Sequence, residues 1–317
     1  MEWQKKGKLF ESPIQLPSFP KGYVSHAQSP QVLSLENGFR CYFSTRMQAS
    51  NGKFTSHVAY AEYTDNFEYV KTSEHQIISL GKLGCYDEHG IFPFHVLPVK
   101  DKVYGYISGW TRRTSVSVDT GVGLAISHDG GQTFERCGEG PILTASLHEP
   151  FLVGDPFVIQ AKGCFEMWYI YGTEWLNPEG EGEAERVYKI GHAASDDGVT
   201  WQKSHQQVIP DSIGDECQAL PSVAYYGGCY HMVFCFRNPF GFRKEKGKGY
   251  RLGYAFSTDL KTWTREDEAL NLSFSAGEWD SNMQCYPHLC VLKEKLCLFY
   301  NGNDFGKNGF GMAVLKS

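Results

Sequence analysis

Apolar strands led by a proline recur through the chain: Pro30-Gln-Val-Leu, Pro93-Phe-His-Val-Leu, Pro156-Phe-Val-Ile, Pro221-Ser-Val-Ala and Pro287-His-Leu-Cys-Val-Leu. Each is followed by a short Gly- or Lys-bearing turn and an aromatic-rich strand, such as Lys102-Val-Tyr-Gly-Tyr-Ile, Cys164-Phe-Glu-Met-Trp-Tyr or Lys295-Leu-Cys-Leu-Phe-Tyr. A third strand ends in Ala-x-Ser-x-Asp before an aromatic residue: Ala125 to Asp129 with Phe134, Ala193 to Asp197 with Trp201, and Ala255 to Asp259 with Trp263. Ala61 to Asp65 with Tyr69 is a weaker copy, and Gly309-Phe-Gly-Met-Ala313-Val begins a fifth. The four Asp positions are spaced by 64, 68 and 62 residues. A supersecondary unit repeated at this period points to a radial architecture.

Four antiparallel strands per unit and five units predict an all-β fold, a five-bladed β-propeller, with 1–317 as one domain. The blades are placed at 30–80, 81–145, 146–210, 211–272 and 273–317. The last lacks a fourth strand, and Glu2-Trp-Gln-Lys-Lys6 resembles Thr200-Trp-Gln-Lys-Ser204, so residues 1–11 are expected to complete blade 5 and cover its edge. Proline is expected at the first position of each inner strand, where no ladder N–H is needed.

Composition narrows the function classes. Thirty Lys+Arg against 36 Asp+Glu give a net charge of −6 with no dominant basic run, which argues against a nucleic-acid partner. Forty-one per cent apolar and 21% charged residues suit an ordered protein with a large core, and 15% aromatics with 34 Gly suit many strands joined by tight turns. No apolar run reaches the roughly 18 residues of a membrane span. The first residues are charged with no apolar segment after them, so no signal peptide and a cytoplasmic location are expected. Ten cysteines without a C-x-x-C spacing read as reduced core thiols, Cys229, Cys235, Cys290 and Cys297 among them. Scattered histidines predict no tightly bound cofactor; the rim acids are where a cation would be held.

The topology assigns the two faces. Ser127-His-Asp129-Gly-Gly-Gln-Thr133-Phe134 fits an Asp-box turn, so Asp129, Asp197 and Asp259 read as turn formers on one face. The other face collects, just before the inner strands, His26 and Gln28; Asp87, Glu88 and His89; Glu149 and Asp155; Asp215 and Glu216; Asp280 and Gln284. At the ends of the second strands come Arg46, Gly109 with Trp110, Gly172 with Glu174 and Trp175, Arg237 and Asn303. Carboxylates, arginines and tryptophans converging on one axis are the ingredients of a carbohydrate site. Glycosidic cleavage uses one protonated and one ionised carboxyl, about 5–5.5 Å apart for retention and 6.5–9.5 Å for inversion.

The run from Cys85 through Asp87-Glu-His to Pro93, with Gly109-Trp110, Met167-Trp-Tyr, Trp279-Asp280, Tyr286-Pro287 and Tyr300-Asn-Gly-Asn303, resembles the five-bladed propeller glycosidases. That superfamily includes arabinanases, xylosidases, invertases and levansucrases. Similarity is greatest to glycosidase-like proteins found with bacterial polysaccharide genes, and it covers about Pro30 to Val314. The resemblance implies a small carbohydrate or activated sugar as partner. In the arabinanase-type pattern an Asp stands beside the blade 1 proline; here Ala27-Gln28-Ser29-Pro30 has no carboxylate, and an Asp-Pro pair occurs instead at Asp155-Pro156 in blade 3.

Two readings follow. In the first the protein is a glycoside hydrolase or a related transferase or phosphorylase. Glu216, flanked by Cys217 and Ala219, is then the acid and Asp87 the base or nucleophile, while Asp155 and Asp280 orient substrate or tune pKa. Arg46 and Arg237 hold an anionic group, and His26, Gln28, Glu88, His89, Trp110, Glu174, Trp175, Gln284 and Asn303 bind substrate. In the second the propeller binds a glycan or protein without turnover, and its rim acids are paired off with basic residues. The loops 110–121, 174–187 and 237–250 overhang this face, the second acidic and the third basic, which suits pairing across the pocket.

Overall fold

The proline-led repeats fold into hairpins that share one strand order. The computed structural model describes residues 1–12, 24–48, 51–177, 183–245 and 247–316. After β1 (Trp3–Phe10), the first repeat supplies β2 (Val24–Leu35), β3 (Gly38–Gln48), β4 (Phe54–Tyr63) and β5 (Tyr69–Thr72). The second supplies β6 (Gly90–Val99), β7 (Lys102–Arg112), β8 (Val118–Ser127) and β9 (Glu135–Arg136). The third supplies β10 (Val153–Ala161), β11 (Cys164–Leu176), β12 (Glu185–Ser195) and β13 (Gln202–Lys203). The fourth supplies β14 (Cys217–Tyr226), β15 (Cys229–Arg237), β16 (Arg251–Ser257) and β17 (Thr264–Arg265). The last supplies β18 (Cys285–Leu292), β19 (Lys295–Asn301) and β20 (Phe310–Leu315), against which β1 lies antiparallel.

Within each group the strands hydrogen-bond in chain order, and a single parallel bridge, Ser56 with Gly90, joins the first two groups into one sheet. The first strands contact one another in a cycle: β2 packs on β6, β6 on β10, β10 on β14, β14 on β18, and β18 on β2. Packing on both faces explains why β3 is buried from Gly38 through Thr45 instead of alternating with solvent. At the centre of the cycle the Gln31 side chain lies 3.0 Å from His95 and 3.1 Å from His288, and the other ring nitrogen of His95 meets the Val158 carbonyl at 2.9 Å.

The prolines correct one expectation. None opens its strand: each follows two to six residues of strand already formed, at a bulge where the register skips, as between Gly154 and Phe157 or Ala219 and Ser222. A bulge needs no ladder donor from the extra residue, which suits proline as well as a strand end does. The residue before the proline takes the strain. Ser29, Asp155, Leu220 and Tyr286 have φ of 54°, 50°, 46° and 55°, the left-handed region that side chains avoid, and Phe92-Pro93 solves the same corner with a cis bond.

The Asp boxes form as turns. Asp197 accepts the N–H groups of Val199 (2.8 Å) and Thr200 (2.7 Å), and Asp129 and Asp259 do the same in their own repeats. All ten cysteines are free, and five are buried. Among the described residues no helix is long and apolar enough to cross a membrane.

Candidate functional site

A cavity of about 890 Å³ opens where the first strands converge. The residues that precede these prolines line it: Phe92, Asp155, Leu220 and Tyr286, with Gln28 in place of Ser29 in the first repeat. Asp155 is the one carboxylate among the five residues that precede these prolines. Its N–H donates to Ser108 Oγ at 3.0 Å, and its carboxylate accepts from the Leu220 N–H at 3.3 Å. Burial pushes its pKa up to about 7, against the pull of the Leu220 N–H and the Arg186 charge. A carboxyl half-protonated near neutral pH can give or take a proton.

The four carboxylates expected to converge do not. Asp87, Glu216 and Asp280 are fully buried and none lines the cavity. Asp87 pairs with Arg136 at 2.5 Å, Glu216 with Arg265 at 2.6 Å and Asp280 with Lys5 at 2.6 Å; Glu149 pairs likewise with Lys203 at 2.6 Å. The four cations are equivalent. Each lies on the fourth strand of its group, directly opposite an equivalent alanine: Ala125, Ala193 and Ala255 of the Ala-x-Ser-x-Asp turns, and Ala313 in the last group. In the first repeat Thr72 takes this position opposite Ala61, and residues 24–29 hold no acid. The acids therefore tie the entrance of the first strand to the fourth.

Burial pushes the carboxyl of Glu216 up, but Arg265, Gln218 and the Ser212 N–H outweigh it and leave the net shift downward. Asp280 is likewise held below its usual range by Lys5 and Gln284. Asp87 ends above its usual value because burial outweighs Arg136. It sits so tightly under Gly81 and Gly109 that neither glycine has room for a Cβ.

Of the residues singled out as binding groups, Gln28, Arg46, Trp110 and Arg237 line the cavity. Gln28 accepts from Arg46 Nε at 3.0 Å, and Arg112 lies over the Trp110 ring at 5.1 Å. The others are engaged elsewhere. His89 stacks on Trp110 from outside the cavity, its rings 5.9 Å apart, and Glu88 accepts from the Gly84 N–H at 2.7 Å. His26 contacts Ser25 at 2.8 Å, and burial with the nearby Arg46 lowers its pKa to about 4. Gln284 donates to Asp280 at 3.0 Å, and Asn303 accepts the N–H groups of Asn282 and Met283 at 2.9 and 3.1 Å. Glu174 and Trp175 pair with Val187 and Arg186 along the β11–β12 hairpin and do not reach the cavity wall.

Sequence reading missed most of the cavity's positive charge. Lys53, Arg112, Arg113, Arg186 and Arg243 join Arg46 and Arg237, against two carboxylates, Asp155 and Glu183. In a chain of net charge −6 this is a marked segregation. The signal was weak because these cations sit in loops and strand ends of differing length. Phe92 and Tyr286 could have been found, since each precedes a proline just as Asp155 does. The loop charges do meet: Arg243 of 237–250 pairs with Glu185 of 174–187. Residues 178–182 and 246 of these loops lie outside the described residues. Among the described residues no three His, Cys, Asp or Glu side chains are placed to hold a metal ion.

The fold matches solved carbohydrate-active proteins. One glycoside hydrolase aligns with a TM-score of 0.73 at 17% identity, covering 99% of this chain and 93% of that one. The β-1,2-mannobiose phosphorylase of Listeria innocua aligns with a TM-score of 0.64 at 11% identity, covering 95% and 92%. The likeness to propeller glycosidases drawn from the sequence thus holds for the fold. No protein-family model matches the chain. The uncharacterized protein Rv1502 of Mycobacterium tuberculosis is 30% identical over 323 residues, spanning all of both chains, and this protein belongs to its family.

Proposed function

We propose that the protein is a glycosyl-processing enzyme whose central pocket uses Asp155 as the proton donor to the leaving oxygen. The observation that carries this is the placement of Asp155: a buried carboxyl at a strained backbone position, lining the cavity, with its pKa pushed up to about 7. The setting is a five-bladed propeller formed by residues 1–317, with β1 completing the last blade. The cycle of first-strand contacts and the pairing of β1 with β20 support that reading.

With Asp87, Glu216 and Asp280 engaged in ion pairs, the other carboxylate on the cavity is the exposed Glu183, so a two-carboxylate double displacement lacks a buried second group. A single displacement fits. An oxygen nucleophile attacks the anomeric carbon, the glycosidic C–O bond breaks, its electron pair stays on the leaving oxygen, and the Asp155 proton goes to that oxygen. An already anionic acceptor such as phosphate needs no base to remove a proton, so a cavity rich in arginine suits phosphorolysis, yielding a sugar 1-phosphate. The excess of cations also supports an anionic or activated sugar as substrate. The fold likeness to a glycoside hydrolase and to a phosphorylase supports the reaction class.

The test is a panel of oligosaccharides and activated sugars, each incubated with and without inorganic phosphate, with products separated chromatographically. Turnover that disappears in Asp155→Asn supports the proposal; turnover that survives it overturns the role of Asp155. Because four rim acids, Asp87, Glu149, Glu216 and Asp280, are occupied by cations, a binding propeller without turnover is the second reading. Saturable glycan binding with no product under any condition selects it.

A further inference from the structure

We propose that the pocket contains an anion subsite centred on Arg237, which takes a carboxylate or phosphate carried into the cavity by the ligand. This names the substrate class of the site proposed above and rests on that reading. Arg237 is 1% exposed yet opens onto the cavity, and among the described residues its guanidinium makes no ion pair. Nη1 donates to the carbonyls of Asn238 (2.8 Å) and Pro239 (3.1 Å), whereas Nε is buried without a partner. The charge is enclosed by rings: Phe242 at 3.6 Å, Tyr188 at 5.4 Å and Tyr250 at 5.6 Å from the guanidinium carbon. Arginine cannot shed its proton to escape such burial.

The rest of the chain supplies the contrast. Arg136, Lys203, Arg265 and Lys5, the cations of the four sheet-closing pairs, each have a carboxylate within 2.6 Å. A fold that neutralises those cations so regularly gives Arg237 two backbone carbonyls and a set of π faces but no carboxylate, which offsets part of its desolvation and leaves its charge without a counterion. Arg46 adds a second uncompensated guanidinium. It is anchored through Nε to Gln28, and its proton affinity is depressed by burial and by the like charge of Arg243. Two forked donors on one cavity suit a ligand with several oxygens on one anionic centre, and bidentate pairing is what distinguishes guanidinium from ammonium there.

The experiment is isothermal titration calorimetry on the full chain with four probes: orthophosphate, glucuronate, glucose 1-phosphate and glucose. At least one anion is expected to bind at least tenfold tighter than glucose and to weaken as salt is raised. Arg237→Lys and Arg243→Gln are each expected to weaken that binding tenfold or more. Arg243 is exposed, so its variant keeps the test valid if Arg237→Lys fails to fold. Binding of orthophosphate alone identifies a free anion acting as co-substrate; binding of glucuronate or glucose 1-phosphate identifies a substituent on the sugar. The proposal is overturned if no anion outbinds glucose, or if both folded variants bind as the parent does. Anion binding with no glycan turned over by the parent leaves the subsite standing and removes the catalytic reading. A neutral glycan turned over at full rate by folded Arg237→Lys removes the subsite and leaves the catalytic reading.

Discussion

Arg265 on β17 reaches Glu216, at the entrance to β14, at 2.6 Å, so the fourth strand of that sheet is clamped to the first. Glu216 also accepts the Ser212 N–H at 3.0 Å and the Gln218 amide at 2.9 Å, which leaves it no capacity to act as an acid. Glu216→Ala takes one of two carboxylates from the Arg265 guanidinium, Asp267 remaining at 2.8 Å, and leaves the buried Gln218 amide without this acceptor, so it is expected to cost about 1–3 kcal/mol of stability. Urea denaturation checks the loss. Calorimetry on the folded fraction is expected to show unchanged ligand affinity, and a selective loss of binding at parental stability would place Glu216 in the site after all.

Asp155 is expected to dominate the pH profile. Its folded pKa of about 7 lies above the ordinary carboxylate value, so the protonated form is the stable folded form below that pH. Activity that needs the acid is therefore expected to fall above about pH 7. By the same sign, the stability this group contributes is present below its unfolded pKa and is lost as pH rises through about 7. A kcat/KM profile flat through pH 9 would refute the assignment.

His95 and His288 set the acid limit. Burial lowers the pKa of His95 to about 4, and burial with the neighbouring His95 lowers that of His288. The unfolded chain binds these protons near pH 6.5 and the folded chain does not, so stability is lost as pH falls from about 6.5 to about 4. For His95 the loss is on the order of 3 kcal/mol. Melting temperatures between pH 7.5 and 4.5 measure it. His95→Gln is expected to flatten the slope, and an unchanged slope would show that other groups carry it.

Trp110 and Phe92 are among the aromatic residues that line the cavity, and a sugar ring would stack on such a face. Trp110→Ala is expected to weaken glycan binding about tenfold, in keeping with the roughly 0.5–1.5 kcal/mol of an aromatic contact beyond burial. Titration with whichever glycan the panel identifies gives the ratio, and parental affinity would move the sugar subsite elsewhere.

The repeat was legible because each unit must bury the same faces, so Pro30, Pro93, Pro156, Pro221 and Pro287 and the Ala-x-Ser-x-Asp turns recur in register. The local signal at Asp155-Pro156 was equally legible. What spacing could not reveal was the pairing of each rim acid, because Asp280 and Lys5 are 275 positions apart and nothing local marks them as partners. Expecting residues 1–11 to complete the last unit named the neighbouring strand but not the register, which sets Lys5 opposite Ala313. The cavity arginines were hidden for a different reason: they come from loops, whose charges look solvated in sequence and become an enclosed field only when five strand entrances converge.

The pairing of β1 with β20 sets an order of events during synthesis. β1 is made before β20, the strand it pairs with, and Asp280 lacks the Lys5 ammonium until β1 is brought back to it. Until then β1 carries an open row of backbone donors and acceptors while the intervening sheets assemble. Contacts so distant in sequence make the final step slow. The nascent protein is therefore most exposed to capture by chaperones, or by another copy's open edge, in the interval between its release and the docking of its own beginning.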